Sequence, residues 1–199
     1  MTELTTQKNN VRLCGTVETE PAYSHEVYGD RFYEFILKVP RLSGENDFIA
    51  LTAPERLIDD AKCGRGDRVA VNGQFRSYRK MVGEKSKLML SVLVRDFCSF
   101  SHENPNEVEL SGCTCEPPIR RATKPEGEIY DLLIAVDRKY GKSDFIPCVA
   151  RGEIAKLISG LKVRQKIAVQ GKLQSREIAE SEIRLINEVA IDTVNLKVR

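Results

Sequence analysis

Two sets of residues in this chain interleave aromatic rings with cations, and a third set is made of thiols. From Lys62 to Lys87 there are eight basic residues against two acidic ones, with Arg76, Tyr78, Arg79, Lys80, Lys85 and Lys87 crowded at the end. Arg138, Lys139, Tyr140, Lys142, Phe145 and Arg151 form the second set. Cations neutralise phosphates and release counterions, and flat rings stack on bases, so this mixture suits a single-stranded polyanion. A basic hairpin that only keeps its charges in water presents the same pattern, and the residues alone leave both readings open. The thiols are Cys14, Cys63, Cys98, Cys113, Cys115 and Cys148. None has the two-residue spacing of a zinc ribbon. Cys113 and Cys115 would share one face of a strand, but small buried hydrophobes are the simpler reading of all six. His25 and His102 have no paired nucleophile, and no Gly-rich phosphate loop precedes a helix. The expectation is a binding protein with no cofactor, not an enzyme.

The whole chain has 199 residues and a formal net charge of +2, so bulk charge does not advertise a polyanion partner. Any such site must come from local placement. Apolar runs such as 132–136 fall far short of the roughly 20 residues of a spanning helix, and the start is polar, without a signal-peptide core. A cytoplasmic, nucleoid-associated protein with no membrane segment is expected.

The elements that position these residues come in two copies. Val11-Arg12-Leu13-Cys14-Gly15 aligns with Val108-Glu109-Leu110-Ser111-Gly112 at an offset of 97, and Tyr33 to Arg41 then aligns with Tyr130 to Arg138. Asp47-Phe48-Ile49 matches Asp144-Phe145-Ile146, and after a one-residue shift Val69-Ala70-Val71-Asn72-Gly73 meets Ile167-Ala168-Val169-Gln170-Gly171 and Ser77 meets Ser175. The polar run 101–106, with a proline, divides the copies into domains 1–101 and 106–199. Period-2 alternation predicts strands at Val11, Leu13 and Val17, and at Phe35, Leu37 and Val39, with counterparts at Leu132, Ile134 and Val136. Third strands fit 48–52 and 145–150. Leu57, Ile58 and Ala61, and then Ile154, Leu157 and Ile158, have one-face helical spacing, with Gly64 and Gly160 as stops. Strands resume at 69–75 and 167–173, and the last ones fit 88–97 and 184–193. Arg76-Ser77-Tyr78-Arg79-Lys80 is then expected to leave the fourth strand and enter a loop, and 176–182 is its short, acidic counterpart. Five strands with a helix between the third and fourth is the OB-fold layout. The fold class expected is all-β: two tandem five-stranded OB-fold barrels, each with a short helix between strands 3 and 4.

At this point the blocks themselves become informative. The run 134–152, containing Asp137-Arg138-Lys139-Tyr140-Gly141-Lys142-Ser143-Asp144-Phe145, resembles the second-to-third-strand signature of bacterial single-stranded-DNA-binding proteins. Lys166 to Ser175 and Asp67 to Ser77 resemble that family's fourth strand, with its Val-rich core, glycine and polar exit. The first half is also loosely similar to the shortened replication-restart relatives of the family. The resemblance implies sequence-independent binding of single-stranded DNA in replication, recombination or repair. It places a stacking aromatic at Phe145 and, through the repeat, at Phe48, and a second one at Tyr140, whose first-half counterpart is Ser43. Phosphate contacts fall to Arg76, Arg79, Lys80, Lys85, Lys87, Arg138, Lys139, Lys142 and Arg151, with Tyr78 offering a further ring. For Phe48 and Phe145 core packing is the competing role, and for Arg41 and Arg138 a strand-end ion pair. Tyr33 and Tyr130 are expected to pack in the core or at its rim.

The family commonly assembles four OB-folds, so two per chain implies a homodimer. Its flexible acid-tipped tail has no counterpart after Asn195, and recruitment of partners through such a tip is not expected. The chain contains no tryptophan. That departure, with the acidic loop, favours the alternative of a restart-type module that docks onto replication proteins. An RNA-binding OB protein would use the same rings and cations.

Overall fold

The computed structural model describes residues 8–98, 105–121, 127–179 and 183–196. In the first half β1 (Asn9–Val17), β2 (Ala22–Val27), β3 (Asp30–Pro40) and β4 (Asn46–Pro54) precede a helix, α1 (Glu55–Ala61), which is followed by β5 (Arg68–Val82) and β6 (Lys85–Cys98). The second half repeats the order with β7 (Asn106–Thr114), β8 (Ile119–Arg120), β9 (Ile129–Asp137), β10 (Ser143–Arg151), α2 (Gly152–Ile158), β11 (Lys166–Ala179) and β12 (Ile183–Leu196). The chain is mostly β.

Alternation builds these strands. In β3, Phe35, Leu37 and Val39 are buried and the residues between them are not; in β9, Leu132, Ile134 and Val136 do the same. Leu13, Leu37, Ile49, Leu51 and Phe75 are fully buried in the first half, and Leu110, Ile134, Ile146 and Ile158 in the second. Each such side chain contributes about 1.5–3 kcal/mol relative to exposure. The core is therefore drawn from the inward positions of successive strands.

Pairing repeats as the sequence does. β1 pairs antiparallel with β5 and, at its far end, with β3; β3 pairs with β4, β4 runs parallel to β6 at Leu51–Val92, and β6 pairs with β5. In the second half β7 pairs with β11 and β9, β9 with β10, and β10 runs parallel to β12 at Cys148–Val189. Val11 faces Gly73, and Val108 faces Gly171 in the same register. A strand that serves two partners must bend sharply, and the bend brings backbones together. A Cβ on Gly15 would collide with the carbonyl oxygen of Lys38, and one on Gly112 with that of Ala135. The repeated glycines are thus a requirement of close backbone approach.

Three features differ from expectation. An additional hairpin is present, in which β2 pairs with β3 from Ala22–Glu34 to Val27–Asp30. The fourth and fifth strands are longer than predicted, because Tyr78, Met81 and Val82 continue the ladder. α1 stops at Lys62, which takes the left-handed conformation (φ 50), before reaching Gly64, and Leu157 of α2 is exposed while Ala155 and Ile158 are buried.

The chain forms two compact units. One holds Val11–Glu107 and Leu173–Glu188; the other holds Val108–Lys172 with the described residues before Val11 and after Glu188. The first unit therefore includes a stretch of the second sequence half. No helix among the described residues is long and apolar enough to cross a membrane.

Candidate nucleic-acid interface

Phe48 lies on β4 between buried Asp47 and Ile49, so its half-buried ring occupies the opposite, outer face, across the ladder from Lys38. The edge of β4 turned away from β3 is completed by side chains of the same compact unit. The Phe48 N–H donates to Ser175 Oγ (3.0 Å), its carbonyl accepts from Asn187 Nδ2 (2.8 Å), and the Ala50 N–H donates to Asn187 Oδ1 (3.0 Å). Strand-edge groups need partners when water is excluded. The Asn187 amide, with one donor end and one acceptor end, serves a carbonyl and an N–H of the same strand. Sequence reasoning missed Asn187 altogether. Ser175 carried a faint signal, as the repeat partner of Ser77.

Arg41 and Arg138 recur because each closes an ion pair with the aspartate six residues on. Arg41 donates from Nε and Nη2 to the two oxygens of Asp47, at 2.8 and 2.5 Å, and Ser175 N–H also donates to Asp47 (2.6 Å). The bond to Asp47 is the main reason that the Arg41 guanidinium is held above its usual pKa range. Arg138 binds Asp144 in the same two-pronged way, through Nε (2.7 Å) and Nη2. Asp47 and Asp144 are buried, so these pairs occupy geometry that a planar guanidinium matches and an ammonium does not. In this structure Arg138 is engaged with the protein's own carboxylate.

The basic hairpin is a correction. Arg76, Tyr78, Arg79 and Lys80 do not enter a loop: they lie on β5, whose ladder with β6 continues to Val82–Lys85, and Gly83 (φ 61) and Glu84 make the turn. Register places Lys80 opposite Lys87 and Tyr78 opposite Met89. Tyr78, about one-third exposed, donates its hydroxyl to Glu34 Oε1 of β3 (3.0 Å). Burial first, and Glu34 second, push its pKa up to about 12. Arg76 Nη2 donates to Gln74 Oε1, which also accepts from Arg95 (2.6 Å). Arg79 is exposed. The corresponding segment in the second half is likewise strand to Ala179, and Arg176 there faces buried Glu188 at 3.4 Å. Residues 180–182 of the expected acidic loop lie outside the described residues, as do the side chains of Lys80, Lys85 and Tyr140.

Around Phe145 the second cluster spreads along β10. Phe145 alternates with buried Asp144 and Ile146, faces outward opposite Ala135, and keeps 42% of its surface exposed. Lys139 lies in a single 3-10 turn (Lys139–Gly141) just before the strand, followed by Lys142, and both are exposed. Arg151 is exposed at the opposite end of β10, six residues from Phe145 or about 20 Å at strand rise. Lys139, Lys142 and Phe145 are thus brought together at one strand end, and Arg151 is not.

The β2–β3 hairpin holds Tyr23 and Phe32, aromatics that sequence reasoning passed over, and pairs them with Tyr33 and His25. Tyr23 packs edge-on against Tyr33 with centroids 6.0 Å apart, and the Tyr33 hydroxyl donates to Glu55 (2.9 Å), the largest cause of its raised pKa. His25 stacks on Phe32 with centroids 5.1 Å apart and planes 7° from parallel. The signal that could have found them was the aromatic density of 23–33. Of the thiols, Cys14, Cys63 and Cys148 are buried as expected while Cys98, Cys113 and Cys115 are only half-buried; burial, with Asp67 and Glu20, pushes Cys63 up to about 11. No group of three or more His, Cys, Asp or Glu among the described residues could hold a metal ion.

No family model matches the sequence, and no curated protein matches it. Solved structures do. The wild-type single-stranded DNA binding protein from Thermus aquaticus aligns at a TM-score of 0.77 and 19% identity, over 97% of this chain and 94% of that one. A variant of the same protein, with a deletion and an Arg-to-Ala substitution, aligns at 0.77 and 18% identity, over 97% and 96%. The N-terminal domain of PriB protein from Thermoanaerobacter tencongensis, described as dimeric, is 40% identical over 47% of this chain and 98% of its own, with a TM-score of 0.41. The chain has the fold of the Thermus proteins, and the resemblance read from its sequence blocks is shown at that level.

Proposed function

We propose that this chain, built on the fold of bacterial single-stranded-DNA-binding proteins, binds single-stranded DNA without sequence preference, as two tandem OB-fold barrels. The observation that carries the reading is Phe145, an aromatic exposed on the outer face of a strand with Lys139 and Lys142 at its entry. Bases stack on Phe145 and Phe48, and phosphates lie over Lys139, Lys142 and the β5–β6 hairpin with Arg76, Arg79, Lys80, Lys85 and Lys87. The rings tolerate any base because every base has a π-face. Tyr140 is the further stacking ring that the family resemblance implies, and Arg151 meets the strand farther along β10. Arg138 supports this site by fixing the end of β9 to Asp144 rather than by meeting phosphate. The reading includes no catalytic step, and its context is replication, recombination or repair in the cytoplasm.

Titration of the full chain with fluorescein-labelled oligo-dT over a salt series tests it. Binding at low salt that weakens linearly with log salt is expected. No binding, or binding indifferent to salt, refutes it. The assembly that gives four barrels is a homodimer, and a monomeric mass in solution at micromolar protein refutes that part alone. One observation favours a second reading, a restart-type module that docks onto replication proteins: Arg138 and Arg176 are both turned onto internal carboxylates. Unchanged oligo-dT affinity after joint replacement of Phe145, Tyr140 and Arg79 by alanine supports that module. Competition between DNA and RNA oligonucleotides decides between the two nucleic acids.

A further inference from the structure

We infer that the outer face of β3 carries a second base-stacking station, the His25–Phe32 pair, so that a strand engaged at Phe48 continues past Tyr78 onto it; this rests on the single-strand reading above. Phe32, Glu34, Ile36 and Lys38 alternate onto one face of β3. Register puts Lys38 opposite Phe48 at one end and Phe32 opposite His25 at the other. Between them stands Tyr78. Its hydroxyl and that of Ser24 both donate to Glu34 Oε1, at 3.0 and 2.7 Å, and Ser24 Oγ lies 2.9 Å from His25 Nδ1. One carboxylate therefore fixes the phenol ring and braces the hairpin that bears the stacked pair.

The rings of His25 and Phe32 are already parallel, and the imidazole is exposed, so a base can extend the stack without reordering either side chain. Preorganisation of this kind lowers the entropy cost of binding. From Phe32 to Lys38 the strand rises about 20 Å, the length of about six stacked nucleotides at 3.4 Å each. Phe48, Tyr78, His25 and Phe32 belong to the same compact unit. The second half offers no equivalent, because Ile129 stands in the place of Phe32 and Arg176 in that of Tyr78.

Charge at this end is unfavourable to phosphate. Glu26, Asp30 and Glu34 lie on the hairpin, and Arg31 is paired with Glu55 at 3.6 Å. The station therefore supplies stacking and no phosphate neutralisation. That separates it from the basic hairpin in a measurable way: losing it lowers affinity and leaves the salt dependence alone.

The absence of tryptophan from the chain makes a direct test available. Phe32→Trp and, separately, Tyr23→Trp introduce a single indole on opposite faces of the hairpin, and each full-length variant is titrated with (dT)15. Quenching is expected for Phe32→Trp and none for Tyr23→Trp. The double variant His25→Ala, Phe32→Leu, checked for an unchanged thermal transition, is expected to bind (dT)15 about five- to 150-fold more weakly with the same log–log salt slope. If the wild-type chain binds (dT)15 but the F32W indole is not quenched, or the double variant binds like wild type, the station is overturned. A double variant whose salt slope falls by about one also overturns it, because the pair would then be acting through phosphate. Failure of the wild-type chain to bind (dT)15 at low salt is a different result: it removes the single-strand reading, and this inference with it.

Discussion

Replacing Asn187 by alanine removes both ends of the amide that completes the β4 edge. The Phe48 carbonyl loses its 2.8 Å donor and the Ala50 N–H its 3.0 Å acceptor, at a residue that is only 6% exposed. A typical hydrogen bond contributes about 1 kcal/mol net, and a buried group left without a partner costs about 1–3 kcal/mol. Two groups at a strand edge to which water gains partial access after truncation give about 2–3 kcal/mol of local destabilisation. The chain holds two compact units, so a single global unfolding midpoint would blur the effect. Amide hydrogen exchange at Ala50 reads it directly. A loss of 2–3 kcal/mol raises the exchange rate of that amide by about 30- to 150-fold. Ser175→Ala, which removes the partner of the Phe48 N–H and a 3.3 Å hydroxyl bond to Asp47 but leaves Asn187 in place, should expose the Phe48 amide and leave Ala50 within a few-fold of wild type. If Asn187→Ala changes Ala50 exchange less than threefold, the side-chain completion of the edge is not what holds β4 in place. Phe48 would then owe its orientation to Ser175 and to the Lys38 side of the ladder.

Gly112→Ala sets a Cβ against the Ala135 carbonyl and should cost at least about 1–3 kcal/mol, read as a lowered Tm, with Gly15→Ala behaving alike. Arg138→Leu leaves the Asp144 carboxylate buried without its guanidinium, and a loss of about 3–5 kcal/mol in urea unfolding is expected; a stability within 0.5 kcal/mol of wild type, an order-of-magnitude threshold for surface substitutions, would return Arg138 to a surface role. Tyr78 has its folded pKa raised from 10.0 to about 12, so the protonated phenol favours the folded state. Its contribution is complete below pH 10 and disappears as pH rises from 10 to 12, and Tyr78→Phe should flatten the stability–pH curve in that window.

Much of the molecule is legible in its sequence. The period-2 pattern of Phe35, Leu37 and Val39 marked β3, and the offset of 97 carried it to β9 at Leu132, Ile134 and Val136. The face of Phe145 was not legible in this way: core packing remained its competing role, and the burial of Asp144 and Ile146 on either side is what sets its ring outward. The strand ends were harder to read. Cations at Arg76, Arg79 and Lys80 suggested a loop, but a ladder needs only backbone pairing, and Gly83 alone supplies the positive φ that a tight turn requires. The β2–β3 hairpin escaped notice because an exposed edge strand has no buried face to impose a hydrophobic period.

By itself the sequence determined the repeat, the order of five strands and a helix in each copy though not β2 or β8, and which residue types were available at the surface. These are local properties, set by spacing along the chain. Tertiary structure decided what each polar or aromatic side chain does: it turned Arg138 onto Asp144, set Tyr78 on Glu34, laid His25 over Phe32 and brought Asn187 to Phe48 across 139 positions. Such partners depend on pairing register and on which strand edges lie open, quantities that exist only once the strands have assembled.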